Sequence, residues 1–147
     1  PDRLPPSRET DHTTKLKDGA EPVNIRRYKH VYHLKNEIEN QVQELLKLGF
    51  IRHSRSPYSS LIIMVKKDGG WLMCVDYRAL NSLIVADRYM IPIIEELIDE
   101  LQGATYFTKL DLNSGFHQVR IKNEDICKTA SKTLEGHYEY AVMPFGL

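Results

Sequence analysis

The chain has 147 residues, enough for one ordinary domain with a modest core. Acidic and basic side chains balance at 20 each, so no overall basic excess indicates a nucleic-acid partner, and any such binding must come from a local patch. Cys74 and Cys127 lack the spacing of a zinc site and the density of a secreted disulfide framework, which favours reduced, intracellular thiols.

No apolar run approaches a membrane span and the start lacks the apolar core of a signal peptide, so we expect a soluble chain. Residues 1–33 are polar and punctuated by proline, which predicts a linker or an extended arm. An amphipathic helix is predicted next, ended by Gly49, because apolar residues recur at helical spacing: Leu34, Ile38, Val42, Leu45 and Leu46.

Residues 50–53 form a short apolar segment, and β-favouring runs at 61–65 and 71–78 predict a hairpin around Lys66-Lys67-Asp68-Gly69-Gly70. Pro92 is predicted as the first residue of a helix that runs to about Gln102. Further strands are predicted at 105–112, 117–121, 128–133 and 137–142, which gives an α+β fold with mostly antiparallel pairing. The last strand runs into Pro144 without a polar tail, so we expect a piece of something longer.

Asp111 stands at the end of a predicted strand, before the small-residue turn Asn113-Ser114-Gly115. A carboxylate in this position can hold a hard cation such as magnesium, while successive backbone amides of the turn face phosphate oxygens. The alternative is that Asp111 only caps the helical turn that follows, and spacing alone favours this second interpretation.

Two other groups also have alternative interpretations. Lys66 and Lys67 at a glycine-flexible hairpin tip could neutralise a triphosphate, or they could be solvated lysines that discourage edge aggregation. Arg78 and Asn81 could contact a nucleic-acid backbone, or they could belong to a strand end with a buried tyrosine and an ion pair between Asp76 and Arg78.

The order of these groups resembles the reverse transcriptases of gypsy-type long-terminal-repeat retrotransposons, especially those of plants. The resemblance covers nearly the whole chain. Its motifs are Leu4-Pro-Pro-Ser-Arg, Glu21-Pro-Val-Asn-Ile-Arg, Ser56-Pro-Tyr-Ser-Ser, Lys66-Lys67-Asp68-Gly69, Cys74-Val-Asp-Tyr-Arg-Ala-Leu-Asn, Leu97-Ile-Asp-Glu-Leu, Lys109-Leu-Asp-Leu-Asn-Ser-Gly-Phe-His-Gln, Gly136-His-Tyr-Glu and Met143-Pro-Phe-Gly-Leu.

The resemblance implies that residues 34–147 form the fingers and the opening part of the palm of a right-hand polymerase, with helices packed on a mostly antiparallel sheet. It implies RNA-directed DNA polymerase activity with two magnesium ions, acting on an RNA or DNA template-primer and deoxynucleoside triphosphates. The implied partners within the polyprotein are the remaining palm, the thumb and ribonuclease H. The implied location is intracellular, in cytoplasmic virus-like particles with access to the nucleus.

The resemblance also implies a role for individual residues. Asp111 matches the first of three metal-binding aspartates, and Leu112 would lend its backbone carbonyl to the metal. The implied nucleotide-binding residues are Lys66, Lys67, Asn113, Ser114, Gly115, Phe116 and Phe145, with Phe116 set against the 2′-hydroxyl of a ribonucleotide. The implied template-binding residues are Arg78, Asn81 and Gly146.

The other two aspartates of the family belong to a Tyr-x-Asp-Asp hairpin that this sequence does not contain. One carboxylate cannot fix two cations, so we expect residues 1–147 to be inactive alone. The sequence departs from the family pattern at Leu72, where an arginine is usual, and at Ser131, where an aromatic residue is usual. The alternatives are therefore a noncatalytic nucleic-acid-binding module or an inert remnant of a decayed element.

Overall fold

The computed structural model describes residues 3–26, 32–87, 90 and 92–147. Within these ranges, helices and two antiparallel sheets confirm the expected α+β class. The helices are α1 (Tyr32–Lys47), α2 (Arg78–Asn81) and α3 (Ile94–Asp99), and the strands are β1 (Ile51–His53), β2 (Leu61–Lys67), β3 (Gly70–Asp76), β4 (Ser131–Lys132) and β5 (His137–Tyr140). None of the helices in the described ranges combines the length and the hydropathy that a bilayer crossing needs.

Helix α1 confirms the predicted amphipathic helix. Gly49 ends it with a φ of +74°, a conformation that glycine adopts without steric cost. The Gly49 N–H donates to the Leu46 carbonyl and the Phe50 N–H donates to the Leu45 carbonyl, so the last turn is closed by the pairing typical of a glycine C-terminus. The predicted apolar face is buried or half-buried along its length: Leu34, Ile38, Val42, Leu45 and Leu46.

Strands β2 and β3 form the predicted hairpin, but β3 ends at Asp76 and not at residue 78, because α2 begins at Arg78. Lys67 pairs with Gly70, which leaves Asp68-Gly69 as a two-residue loop. Asp-Gly loops suit such hairpins because glycine supplies the positive φ that the turn requires, and Gly69 has a φ of +102°. The pairing therefore presents Lys66 and Lys67 at the free end of the hairpin, and we call β2 and β3 together the lysine hairpin.

The other sheet has β5 in the centre, between β1 and β4. Ile51 of β1 pairs with Tyr140, and Ser131 of β4 pairs with Tyr138. The two tyrosines of β5 are buried in a core that also contains residues of α1 and of the lysine hairpin. A single core thus holds both sheets against α1.

Tyr77 links the end of β3 to the 3-10 helix Ile126–Thr129. Its side chain is 1% exposed, and its hydroxyl donates to the Thr129 carbonyl at 2.8 Å. The Thr129 hydroxyl donates to the Ile126 carbonyl at 2.7 Å and accepts from the Tyr140 N–H at 2.8 Å. Burial raises the pKa of the Tyr77 phenol, so the hydroxyl remains a donor.

We expect Tyr77→Phe to lower the free energy of unfolding by about 1–2 kcal/mol, because it leaves the buried Thr129 carbonyl without its partner. Urea denaturation followed by circular dichroism measures the change. The matched control is Tyr106→Phe, since Tyr106 is 94% exposed and should change stability by less than about 0.5 kcal/mol. Equal effects of the two substitutions would contradict the role of the Tyr77 hydroxyl.

Residues 3–26 lie extended against the body of the protein. Isolated bridges join His12 to Ile121, Leu16 to Ile84 and Asn24 to Ser59. The Thr14 N–H donates to Asp125 Oδ2 at 2.9 Å, and the Thr14 carbonyl accepts from Lys128 Nζ at 2.7 Å. Helix α1 begins at Tyr32, one residue before the predicted end of the arm at residue 33, and residues 27–31 lie outside the described residues.

Two predicted elements of the middle region are corrected. The helix expected over 92–102 is shorter, at Ile94–Asp99, because Ile93 at its N-cap offers no side-chain hydrogen bond and none of its residues is buried. The strand expected over 105–112 does not form. Its side chains are exposed, and none of the strands in the described ranges pairs with it, so its backbone lacks the partner that a strand requires.

Two further predicted strands are corrected as well. Residues 117–121 begin within the 3-10 helix Gly115–Gln118 and then make only single bridges at Arg120 and Ile121. The strand expected over 128–133 shortens to β4, because the Thr129 side chain bonds the Ile126 carbonyl and stabilises a 3-10 turn instead. The strand expected over 137–142 is confirmed as the shorter β5.

Candidate functional site

A cleft of about 800 Å³ lies between α1, the lysine hairpin and the turn before the 3-10 helix Gly115–Gln118. This volume falls within the range of about 300–1,000 Å³ that is typical of small-molecule sites. Three separate stretches of the sequence contribute predicted nucleotide-binding residues to its lining: Lys67, Asn113, Ser114, Phe116 and Phe145.

The turn at the base of the cleft is compact. Ser114 adopts a left-handed conformation, with φ 49° and ψ 46°, and its carbonyl accepts from the His117 N–H at 2.9 Å. A Cβ on Gly115 would lie 3.3 Å from the Leu112 Cβ, so the close approach of these residues suits glycine. Gln118 Nε2 donates to the Asn113 carbonyl at 2.9 Å, which braces the turn from its far side.

Asp111 and Leu112 are exposed and directly precede this turn, but they do not line the cleft. The N-cap of the following 3-10 helix is Ser114, so the interpretation of Asp111 as its cap is wrong. Within the described residues, Asp111 makes no ion pair, and no group of three or more His, Cys, Asp or Glu side chains is placed to hold a metal ion. Asp111 is therefore a solvent-exposed carboxylate beside the cleft, without an ion-pair partner among the described residues.

Phe116 and Phe145 form an aromatic pair at one wall of the cleft. Their ring centroids are 5.5 Å apart and their planes meet at 86°, an edge-to-face contact. Phe116 is 48% exposed and Phe145 is 63% exposed, so both rings keep a free surface toward the cleft. Such rings can pack against a sugar or a base while excluding a larger group.

The three predicted template-binding residues lie outside the cleft lining. Asn81 and Gly146 are in contact, because Asn81 Nδ2 donates to the Gly146 carbonyl at 2.8 Å and so tethers the segment that carries Phe145. Arg78 Nη2 lies 2.6 Å from Asp76 Oδ2, and this hydrogen-bonded arginine lowers the pKa of the Asp76 carboxyl. The ion pair expected under the alternative interpretation of this stretch is thus confirmed.

Lys67 is the only lysine or arginine among the described residues that line the cleft, and Lys66 does not line it. Two acids of α1, Glu37 and Glu44, lie in the same lining. Leu72, the departure from the family pattern, also lines the cleft and is 38% exposed, so it offers an apolar surface where a charge is usual.

Several cleft residues escaped the sequence reasoning. Gln41 of α1 and Phe50, which precedes β1, line the cleft although no sequence motif points to either. His117 packs on Phe50 with ring centroids 5.1 Å apart, and burial lowers the pKa of its imidazole. Contact with Phe50 and burial favour a packing role for His117 over acid-base work. The spacing of Glu37 and Gln41 by four residues was a weak signal that these side chains meet on one helix face.

Comparison with known proteins gives a consistent result. The family described as "Reverse transcriptase (RNA-dependent DNA polymerase)" matches residues 64–147. The chain is 47% identical over 117 residues to the retrovirus-related Pol polyprotein from transposon 297 of Drosophila melanogaster, covering 76% of this chain and 11% of the relative. It is 39% identical over 134 residues to the Pol polyprotein from transposon gypsy of the same organism, covering 86% and 13%. The chain thus spans only a small part of these relatives.

Among solved structures, the chain is similar to the foamy viral protease-reverse transcriptase in complex with dsDNA. The TM-score is 0.73 at 25% sequence identity, and the match covers 95% of this chain and 27% of the viral one.

Proposed function

Because the chain belongs to the reverse transcriptase (RNA-dependent DNA polymerase) family, we propose that it forms the nucleotide side of a retrotransposon polymerase active site. The reaction is attack of a primer 3′-hydroxyl on the α-phosphate of a deoxynucleoside triphosphate, with pyrophosphate as the leaving group. One observation carries this proposal: the fold brings Lys67, the turn with Asn113 and Ser114, and the Phe116–Phe145 pair into a single cleft.

Each part of the cleft has a chemical role in this proposal. Lys67 reaches the triphosphate from the hairpin, and Lys66 beside it adds positive charge at the tip. The backbone amides of Asn113, Ser114 and Gly115 face phosphate oxygens, as successive amides in a compact turn can do. The Phe116 ring packs against the sugar and leaves no room for a 2′-hydroxyl.

The residues present fit a metal ion in part. Magnesium takes one or two carboxylates and completes its coordination with waters and substrate phosphates, so Asp111 with the Leu112 carbonyl could share one ion with a bound triphosphate. The same two donors do not fit a pair of ions. When bound, metal ions in this chemistry stabilise the attacking and leaving oxygens. The contribution of this chain is a carboxylate at the edge of the cleft.

The proposed partners are nucleic acids and the remainder of a polyprotein. The foamy viral neighbour was solved with dsDNA, and we extend that ligand class to this chain as template-primer. Arg78, Asn81 and Gly146 lie outside the cleft, where they would contact the template strand. The remaining palm, the thumb and ribonuclease H would complete the enzyme, acting in cytoplasmic virus-like particles.

A chimeric enzyme tests the proposed function. In it, this chain replaces the matching segment of the transposon 297 reverse transcriptase, with which it shares 47% identity. We expect magnesium-dependent incorporation of deoxynucleotides on a primed RNA template, measured by primer extension. A folded, soluble chimera that extends no primer while the parent enzyme does would contradict the proposal.

The same chimera separates the noncatalytic alternative. Contacts to phosphates release counterions, so binding of template-primer should weaken as salt rises whether or not catalysis occurs. Salt-dependent binding without any extension would favour a nucleic-acid-binding module over a polymerase.

A further inference from the structure

The side-chain amide of Gln41 in α1 makes two hydrogen bonds to the backbone of β3, one through its nitrogen and one through its oxygen. Its Nε2 donates to the Trp71 carbonyl at 2.6 Å, and its Oε1 accepts from the Met73 N–H at 2.8 Å. The second N–H of the same amide donates to Glu37 Oε1 at 2.6 Å. Glu37 thereby fixes which end of the amide faces which strand group.

Gln41 contacts β3 on the edge where a further strand of the sheet would pair. In an antiparallel pair, the backbone groups of alternate residues point toward the partner strand and away from it. Trp71 and Met73 are two residues apart, so their carbonyl and N–H lie on the same edge, the one that faces away from β2. The Gln41 amide occupies this edge as the peptide group of a third strand would.

This contact matters because the core packs one face of the hairpin, while the free edge of β3 has no strand partner in the described residues. In the described ranges β2 and β3 pair only with each other, and a two-stranded hairpin is marginally stable by itself. Trp71 is the direct partner of Lys66 in the hairpin register, and Lys67 is the next residue toward the tip. Gln41 therefore holds the hairpin at the level of its lysines.

We propose that Gln41 is a positioning residue that holds the lysine hairpin across the cleft and thereby sets the affinity for the triphosphate of the incoming nucleotide. This inference rests on the proposed function. Gln41 itself contributes a neutral amide, so its effect passes through the placement of Lys67 and not through charge. Both residues line the same cleft, on different elements.

Hydrogen exchange of the Met73 amide tests the contact in the 147-residue chain itself. Gln41→Met keeps the length of the side chain and a good helix propensity but removes all three hydrogen bonds. We expect Met73 to exchange at least about threefold faster in this variant, because its N–H loses its acceptor. The matched control is Gln43→Met, an exposed glutamine of the same helix that lies outside the cleft lining. Unchanged exchange at Met73 in Gln41→Met would overturn the inference.

Steady-state kinetics of the chimeric enzyme test the consequence. Gln41→Met should raise the KM for deoxynucleotides about three- to tenfold and leave kcat within about twofold. In a Lys67→Met background, Gln41→Met should add nothing further, since residues that act through one another are not additive. A purely structural role would instead lower kcat or add fully to Lys67→Met, and either result would overturn the inference.

The two tests separate the failure of this inference from that of the proposed function. A chimera without RNA-templated synthesis overturns the proposed function and with it the nucleotide role of Gln41, while Met73 exchange still measures the contact. An active chimera whose KM ignores Gln41→Met overturns the inference alone.

Discussion

Asp111→Asn should lower primer extension by the chimeric reverse transcriptase about a thousand-fold. Asn keeps the size of the side chain but loses the charge that a hard cation requires of its ligand. A metal ion in phosphoryl transfer contributes several kcal/mol of transition-state stabilisation, and about 4 kcal/mol corresponds to a factor of a thousand in rate. Single-turnover primer extension on a primed RNA template measures the loss.

The exposure of Asp111 makes this variant easy to interpret. Its side chain is solvated and makes no ion pair within the described residues, so the substitution should leave folding and template-primer binding unchanged. Asp99→Asn is the matched control, because Asp99 is also exposed and ends α3, away from the cleft lining. Primer extension by Asp111→Asn within threefold of the unsubstituted chimera would remove Asp111 from the metal site.

Local sequence signals predicted the elements whose stability is itself local. The apolar spacing of α1 and the glycine at its end specify a helix with its stop, and Asp68-Gly69 specifies a two-residue hairpin loop. The stretch 105–112 shows the limit of such signals. Its composition favours a strand, yet strand formation depends on a partner that no residue within the stretch can supply.

The candidate site divides in the same way. The nucleotide roles of the turn Asn113-Ser114-Gly115 and of the hairpin lysines were implied by the resemblance to a family, because their local composition alone fits a cap and a solvated turn as well. The role of Gln41 could not be predicted, because a glutamine on an exposed helix face looks the same whether it meets water or the edge of a distant strand. Its partners are about 30 residues away, and only the fold brings them together.

Phe116→Ala should let the chimeric enzyme incorporate ribonucleotides. The ring lines the cleft and is held edge-to-face by Phe145 at 5.5 Å, so it forms a firm wall where the sugar of the incoming nucleotide would lie. Steric selection by one small group is worth about 10- to 200-fold, and most of the discrimination against the 2′-hydroxyl should disappear with the ring. The ratio of kcat/KM for deoxy- and ribonucleoside triphosphates measures it.

Substitution of Phe145 tests the same sugar contact, with a smaller expected effect than substitution of Phe116. An edge-to-face pair contributes about 0.5–1.5 kcal/mol, so Phe145→Ala should loosen Phe116 and reduce discrimination by about 2- to 10-fold, less than Phe116→Ala. Phe107→Ala is the control, because Phe107 is 70% exposed and does not line the cleft.

One result would contradict the sugar contact of Phe116. If the Phe116→Ala chimera still discriminated between deoxy- and ribonucleotides as well as the unsubstituted chimera, the sugar would lie elsewhere. The aromatic pair would then be only a packing contact between the turn and the segment held by Asn81.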